Sequence, residues 1–207
     1  MQKKSLAIAI ALVLSASMSV KAQYTKQDSS YKKHFIGSTL FLFGNLATDN
    51  SPEFGQLNLG YRLTGRDVLS LELITWKYDR PLGINPFLSD AYGDTAENYP
   101  GFIREFGIGV AYQRYFWKGL YAAVHVVPMV QRFVDEKGNK VDNGFHIFNT
   151  FRVGYHFKLF NDRWFIEPSL GLAGRPVHSR MPDGFKQKDD KWPKYTPEPG
   201  LHFGFNF

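Results

Sequence analysis

In the stretch FGQLNLGYRLT, Leu57, Leu59, Tyr61 and Leu63 fall on alternate positions, with Gln56, Asn58, Gly60 and Arg62 between them. Successive side chains of an extended chain point to opposite faces, so this spacing specifies a strand with one apolar and one polar face. The pattern returns where Phe106, Ile108, Val110 and Tyr112 alternate with Glu105, Gly107, Gly109, Ala111 and Gln113. It returns again where Phe145, Ile147, Phe151, Val153, Tyr155, Phe157 and Leu159 oppose His146, Thr150, Arg152, Gly154, His156 and Lys158. Eight segments read as strands: about 33–46, 54–64, 68–78, 103–116, 120–134, 145–160, 164–177 and 196–207. Each is long enough for a tilted strand to cross a bilayer, which takes about 9–11 residues.

The first residues, MQKKSLAIAIALVLSASMSVKAQ, join two lysines to a short apolar run and then to small residues ending at Ala22. That layout predicts an export signal over 1–22, a short periplasmic segment over 23–32 and one domain over 33–207. Lys3, Lys4 and Lys21 account for half of the formal net charge of +6, so a nucleic-acid partner is not expected. With no cysteine, the exported domain has neither disulfides nor a lipid-modified cysteine to hold it. Aromatic residues are 16% of the chain and lie in alternating segments, which points to strands as the means of support.

Connections alternate in length. Tight turns, TGRD, WKG and ND, follow the second, fourth and sixth segments, and longer connections, including 79–102 and 178–195, follow the others. An even number of strands with this alternation closes into an up-and-down barrel with both termini on the short-turn side. Glycine and alanine concentrate on the polar face, which suits a narrow lumen, and bulky residues on the other face suit lipid. Phe116, Trp117, Phe160, Trp164 and Phe207 are expected in an aromatic girdle at the short-turn end, with Trp76, Tyr78 and Phe145 at the other. Leu201, Phe203, Phe205 and Phe207 share one face of the last segment, which is expected to pair with the first so that neither remains an open edge.

Signal, strand order and the final alternating run together resemble the small eight-stranded outer-membrane barrels, a superfamily that includes the OmpA transmembrane domain and uncharacterised barrels of Bacteroidota. The resemblance implies an all-β, eight-stranded antiparallel transmembrane β-barrel in the outer membrane of a Gram-negative bacterium. It also implies partners in outer-membrane lipid, lipopolysaccharide and the barrel-assembly machinery, with Leu201, Phe203, Phe205 and Phe207 as the assembly signal. Fold does not supply function. Lipid A deacylases, which are also eight-stranded barrels, carry a motif resembling His-x-Ser-Asn. Here FHIFN supplies His146 and Asn149 but places Phe148 at the nucleophile position, so no hydroxyl is there for a histidine to activate.

Parity directs Glu72, Glu105, His125, Arg152, His156, Glu167, Arg175 and His202 into the lumen. Histidines and carboxylates are ordinary transition-metal ligands, but none of these spacings is specific for a metal. An eight-stranded barrel is just wide enough to be filled by its own side chains, so a structural network is expected, with no catalytic residue, metal or other cofactor. The ND turn makes Phe160 face Arg163, which sets His156 opposite Glu167. Arg180, Lys186, Lys188, Lys191 and Lys194 lie among aromatics in one long loop and are candidates for contact with lipopolysaccharide phosphate, while loop 79–102 is acidic and complements it. A plugged, surface-binding or structural barrel is the expected function. A lipid-modifying enzyme and a narrow solute channel are the alternatives.

Overall fold

The computed structural model describes residues 32–46, 51–86 and 88–207; the expected export signal lies outside these. Nine strand segments follow one another: β1 (His34–Thr39), β2 (Gly55–Arg62), β3 (Asp67–Tyr78), β4 (Phe102–Trp117), β5 (Leu120–Val134), β6 (Lys140–Tyr155), β7 (Phe157–Leu159), β8 (Trp164–His178) and β9 (Tyr195–Asn206). Neighbours in the chain pair antiparallel, β9 pairs with β1, and β6 pairs with β8, so the sheet is a closed ring. β6 and β7 are one strand with a break at His156, whose N–H continues the pairing of Leu120 with Tyr155 by donating to Gly119 O at 2.8 Å. The wall is therefore an eight-stranded up-and-down β-barrel.

Exposure divides along the strands as the alternation requires. Leu71, Phe106, Ile108, Val110, Val153 and Leu170 are exposed on the outer face, while Glu72, Glu105, Arg152 and His202 are buried on the inner one. A continuous exposed apolar wall around a polar interior is the arrangement for a lipid environment, because such a patch in water drives association. Trp117, Phe160, Trp164 and Phe207 are exposed at the short-turn end. Phe207 exchanges backbone hydrogen bonds with His34 in both directions, at 2.9 and 3.0 Å, so the last strand is tied to the first along its final residues. At the opposite end the girdle expectation fails for Trp76 and Tyr78. Both share parity with Glu72; Trp76 packs into the interior beside Phe54, and Tyr78 is buried. Phe145 does face outward.

The first strand is shorter than its expected span of 33–46. β1 stops at Thr39, and Leu40–Leu46 forms a 3-10 helix, because strict alternation lapses in LFLFGNL. Asn45 then stands in for a strand neighbour: its side chain accepts from Phe54 N at 2.7 Å and donates to Phe54 O at 2.6 Å. Asn45→Ala should lower stability by about 1–2 kcal/mol through the loss of both bonds, as a denaturant midpoint would register. Across the same seam, β9 loses its β1 partner beyond His202. Phe207 N–H points toward β1, so parity turns positions 197 and 199 toward the gap as well, and both are proline. Proline has no N–H to strand in an apolar setting. The Pro197 carbonyl accepts from the Asn85 side chain at 2.8 Å, and the Leu201 carbonyl from Thr39 at 3.4 Å.

The strand expected at 145–160 begins earlier, at Lys140, because Asp135 closes a tight hairpin by accepting from Lys137 N and Asn139 N while Gly138 takes a positive φ of 84°. Opposite β6, β8 carries one extra residue: Arg175 and Pro176 together stand opposite the single Phe148, a bulge between Gly174 and Val177.

Candidate functional site

Three polar layers fill the lumen, and the register orders them along the barrel. Nearest the short turns, His156 Nδ1 approaches Glu167 Oε1 at 2.7 Å, and the same oxygen accepts from Gln113 at 3.0 Å. The Phe157–Ile166 and Leu159–Trp164 pairings show that the ND turn fixes this register. Tyr115 also donates to Glu167, at 3.4 Å. Two residues outside the expected set complete the layer. Arg62 donates to Asn206 Oδ1 at 3.1 Å, and Asp162 accepts from the same asparagine while its carboxylate lies 3.8 Å from His156. Asp162 belongs to the turn itself and folds back into the barrel mouth, where strand parity no longer applies.

The middle layer joins Glu72 to His125 Nδ1 at 3.0 and 3.1 Å, with the His202 ring stacked 6.3 Å from that of His125. Arg152 donates to Ser169 at 3.1 Å and pairs with Glu198 at 3.2 Å, so it joins β8 and β9 rather than His156. A cavity of about 30 Å³, enough to admit water, remains beside Glu72, His125, Arg152 and His202. No group of three or more histidines and carboxylates among the described residues is arranged to hold a metal ion.

Above this lies an apolar cluster of Phe54, Ile74, Val127 and Met129, with Trp76 and Phe148 against it. Phe148, at the position where the deacylase comparison asks for serine, is therefore a packing residue. The third layer sits over it: Tyr78 donates to Glu105 at 2.5 Å, Gln131 donates to Glu105 at 2.7 Å, and the fully buried His146 lies 3.4 Å from the same carboxylate. Arg175 turns upward to Asp189 at 3.0 Å.

Asp189 belongs to a lid. Residues 79–86, 88–101 and 179–194 close over the outer mouth, the last of these carrying helix α1 (Asp183–Asp189). Phe185 of α1 packs with Tyr99, Phe133, Met181, Tyr78 and Ile103 in one buried cluster. Tyr99 donates to Asp189 at 2.8 Å; burial first, and then that carboxylate, raises the phenol well above its ordinary range, so it stays a neutral donor. Glu97 accepts from Lys191 at 3.2 Å and from Trp192 Nε1 at 3.2 Å. Of the five cations expected to meet phosphate, Lys186 binds Asp190, Lys188 binds the Ala96 carbonyl and Lys191 binds Glu97; Arg180 and Lys194 are exposed. The two loops thus meet through the Lys191–Glu97 ion pair and the Lys188 contact to a carbonyl, while Lys186 spends its charge within its own loop.

Hydrogen bonding from Lys191, followed by Trp192 and the lysine charges, holds the Glu97 carboxyl below its ordinary range. A carboxylate depressed in the folded state contributes its stabilisation at pH values above its ordinary range and loses it as pH falls through the depressed value. Protection of the lid amides, taken relative to their intrinsic exchange rate at each pH, should therefore fall on acidification. Glu97→Gln should exchange quickly already at neutral pH and respond less to acid; an unchanged acid response in that variant would show that another group controls the lid.

A closed antiparallel sheet, an exposed apolar wall, a filled polar lumen and a lid define a membrane-spanning β-barrel of eight strands. No family model matches the sequence, and no curated protein matches it. Among solved structures, the chain is similar to Ail, the attachment invasion locus protein of Yersinia pestis, determined in complex with the heparin analogue sucrose octasulfate, at 10% identity and a TM-score of 0.43 over 85% of this chain and 97% of that one. It is also similar to CarO2 of Acinetobacter baumannii, at 11% identity and a TM-score of 0.37 over 85% of this chain and 98% of that one. The fold assignment rests on the closed sheet and the two faces of its strands.

Proposed function

We propose that this chain is a plugged outer-membrane barrel, exported by residues 1–22, that acts through its outer surface as a structural or ligand-contacting component of the envelope. The closed lumen carries this reading: between two polar layers lies the apolar cluster of Phe54, Ile74, Val127 and Met129, and the lid covers the mouth above them. Transport of a solute would require both to move. His146, which the deacylase comparison singles out, is buried against Glu105. The alternating run Leu201, Phe203, Phe205 and Phe207 faces lipid and is suited to recognition by the assembly machinery, and the surrounding partner is the lipid itself.

Orientation follows from short turns in the periplasm and long connections outside. Protease added to intact cells is therefore expected to cut at the 135–139 hairpin, at Lys137, and in the lid, while leaving Arg66, Lys118 and Arg163 untouched. Cleavage at any of those three turn residues in intact cells would invert the topology and remove the surface role.

A further inference from the structure

At the lid end of the wall, register aligns three cations. Lys77 of β3 faces Arg104 of β4, and Arg104 faces Arg132 of β5. All three share the parity of outward residues, as Leu71, Phe106 and Val130 show. Asn143 of β6 continues the row opposite Arg132 and adds a further hydrogen-bonding amide. One carboxylate serves the three: Glu53 binds Lys77 at 2.8 Å and also binds Arg104. Arg132 is exposed and makes no ion pair or side-chain hydrogen bond among the described residues.

Like charges at directly facing strand positions destabilise a sheet. The wall nevertheless sets Arg104 against Arg132 with no acidic side chain between them. One residue pair further from the rim, the next outward row is Phe106, Val130 and Phe145, each exposed, and these face one another in the same register. A cationic row directly above an apolar one matches a lipid whose headgroup carries phosphate: acyl chains lie along Phe106 and Val130 while guanidinium groups reach the phosphate. Arginine suits that contact because its planar fork donates two parallel hydrogen bonds to phosphate oxygens.

We infer that the outer wall of β3–β5 holds the phosphate of a membrane lipid headgroup between Arg104 and Arg132. This site is on the lipid-facing wall, separate from the lid lysines, and it rests on the membrane reading above. The bound phosphate relieves the repulsion that the row otherwise carries.

The test uses the full barrel refolded in phosphatidylcholine vesicles containing a small fraction of bisphosphorylated lipid A, with lipid retained after detergent extraction counted by native mass spectrometry. Arg132→Gln should weaken retention several-fold, and Arg104→Gln with Arg132→Gln by about tenfold or more, since both charge-assisted contacts are lost. Lys186→Gln with Lys191→Gln, in the lid, should retain lipid as the wild type does. Dephosphorylated lipid should be retained weakly by every form. Wild-type retention by the double variant, with heat-modifiable migration intact, overturns the site. So does equal retention of the dephosphorylated lipid, or equally effective displacement by inorganic phosphate, which would mark a simple anion site. Failure of the wild-type protein to float with vesicles would instead overturn the membrane reading itself.

Discussion

Replacing Glu167 by alanine is expected to lower the stability of the barrel by about 3–5 kcal/mol, the cost of removing one partner from a buried charged network. His156, Gln113 and Tyr115 all direct polar atoms at this carboxylate, and His156 is almost wholly buried. Alanine removes the carboxylate that all three address and leaves Tyr115 and His156 to each other and to Asp162. Glu167→Gln keeps an oxygen at the same distance and should cost much less. For comparison, removing Lys77 from its exposed pair with Glu53 should cost at most about 1 kcal/mol. Urea unfolding in lipid vesicles, followed by loss of heat-modifiable migration, separates these cases. Equal midpoints for Glu167→Ala and Lys77→Ala would mean that the lumenal network contributes nothing to holding the wall.

Gly109→Val is expected to be of comparable severity. A β-carbon at Gly109 would lie 2.4 Å from the Val126 carbonyl oxygen and 2.6 Å from the α-carbon of Val127. These are backbone atoms of the adjacent strand, so the clash cannot be relieved by turning a side chain. Either β4 and β5 separate or the wall bends elsewhere, at a cost of about 3 kcal/mol or more. Failure to reach the fast-migrating folded form on refolding is the expected outcome. Near-normal folding would show that this part of the wall is more loosely packed than its glycines imply.

The wall was legible in the sequence wherever alternation and turn length acted together. The two-residue turn at Asn161–Asp162 alone fixes the pairing of His156 with Glu167, because strand period and hairpin register leave no freedom between them. Legibility ended where another interaction replaced the ladder. Asn45 substitutes side-chain hydrogen bonds for a strand neighbour, which parity cannot foresee, and β1 consequently ends at Thr39. Arg175 and Pro176 form a bulge visible only once β6 is beside them. Trp76 and Tyr78 differ in kind: counting in twos from Glu72 places them inside, and their aromatic character near a strand end suggested the opposite face.

Much of the site was legible at the level of residue type and face, and less so at the level of partners. Glu72 meets His125, and His156 meets Glu167, as inward parity allows. Asp162 and Asn206 needed the closed barrel to bring the sixth turn against the last strand. The lid's lysines were visible as charges, but the pairing of Lys191 with Glu97 and of Lys188 with the Ala96 carbonyl depends on two loops separated by about half the wall meeting over the mouth, whereas Lys186 pairs with Asp190 within its own loop.

Conductance in a planar bilayer tests the closed lumen most directly. Wild-type barrel inserted from detergent is expected to give no steady current above the bare membrane. Phe185→Ala, which loosens the lid, should remain closed because the apolar cluster around Phe54, Ile74, Val127 and Met129 still blocks the lumen below it. Stable unitary currents from the wild-type protein, reproduced across insertions and absent from an unfolded control, would contradict the plugged barrel and identify the chain as a channel.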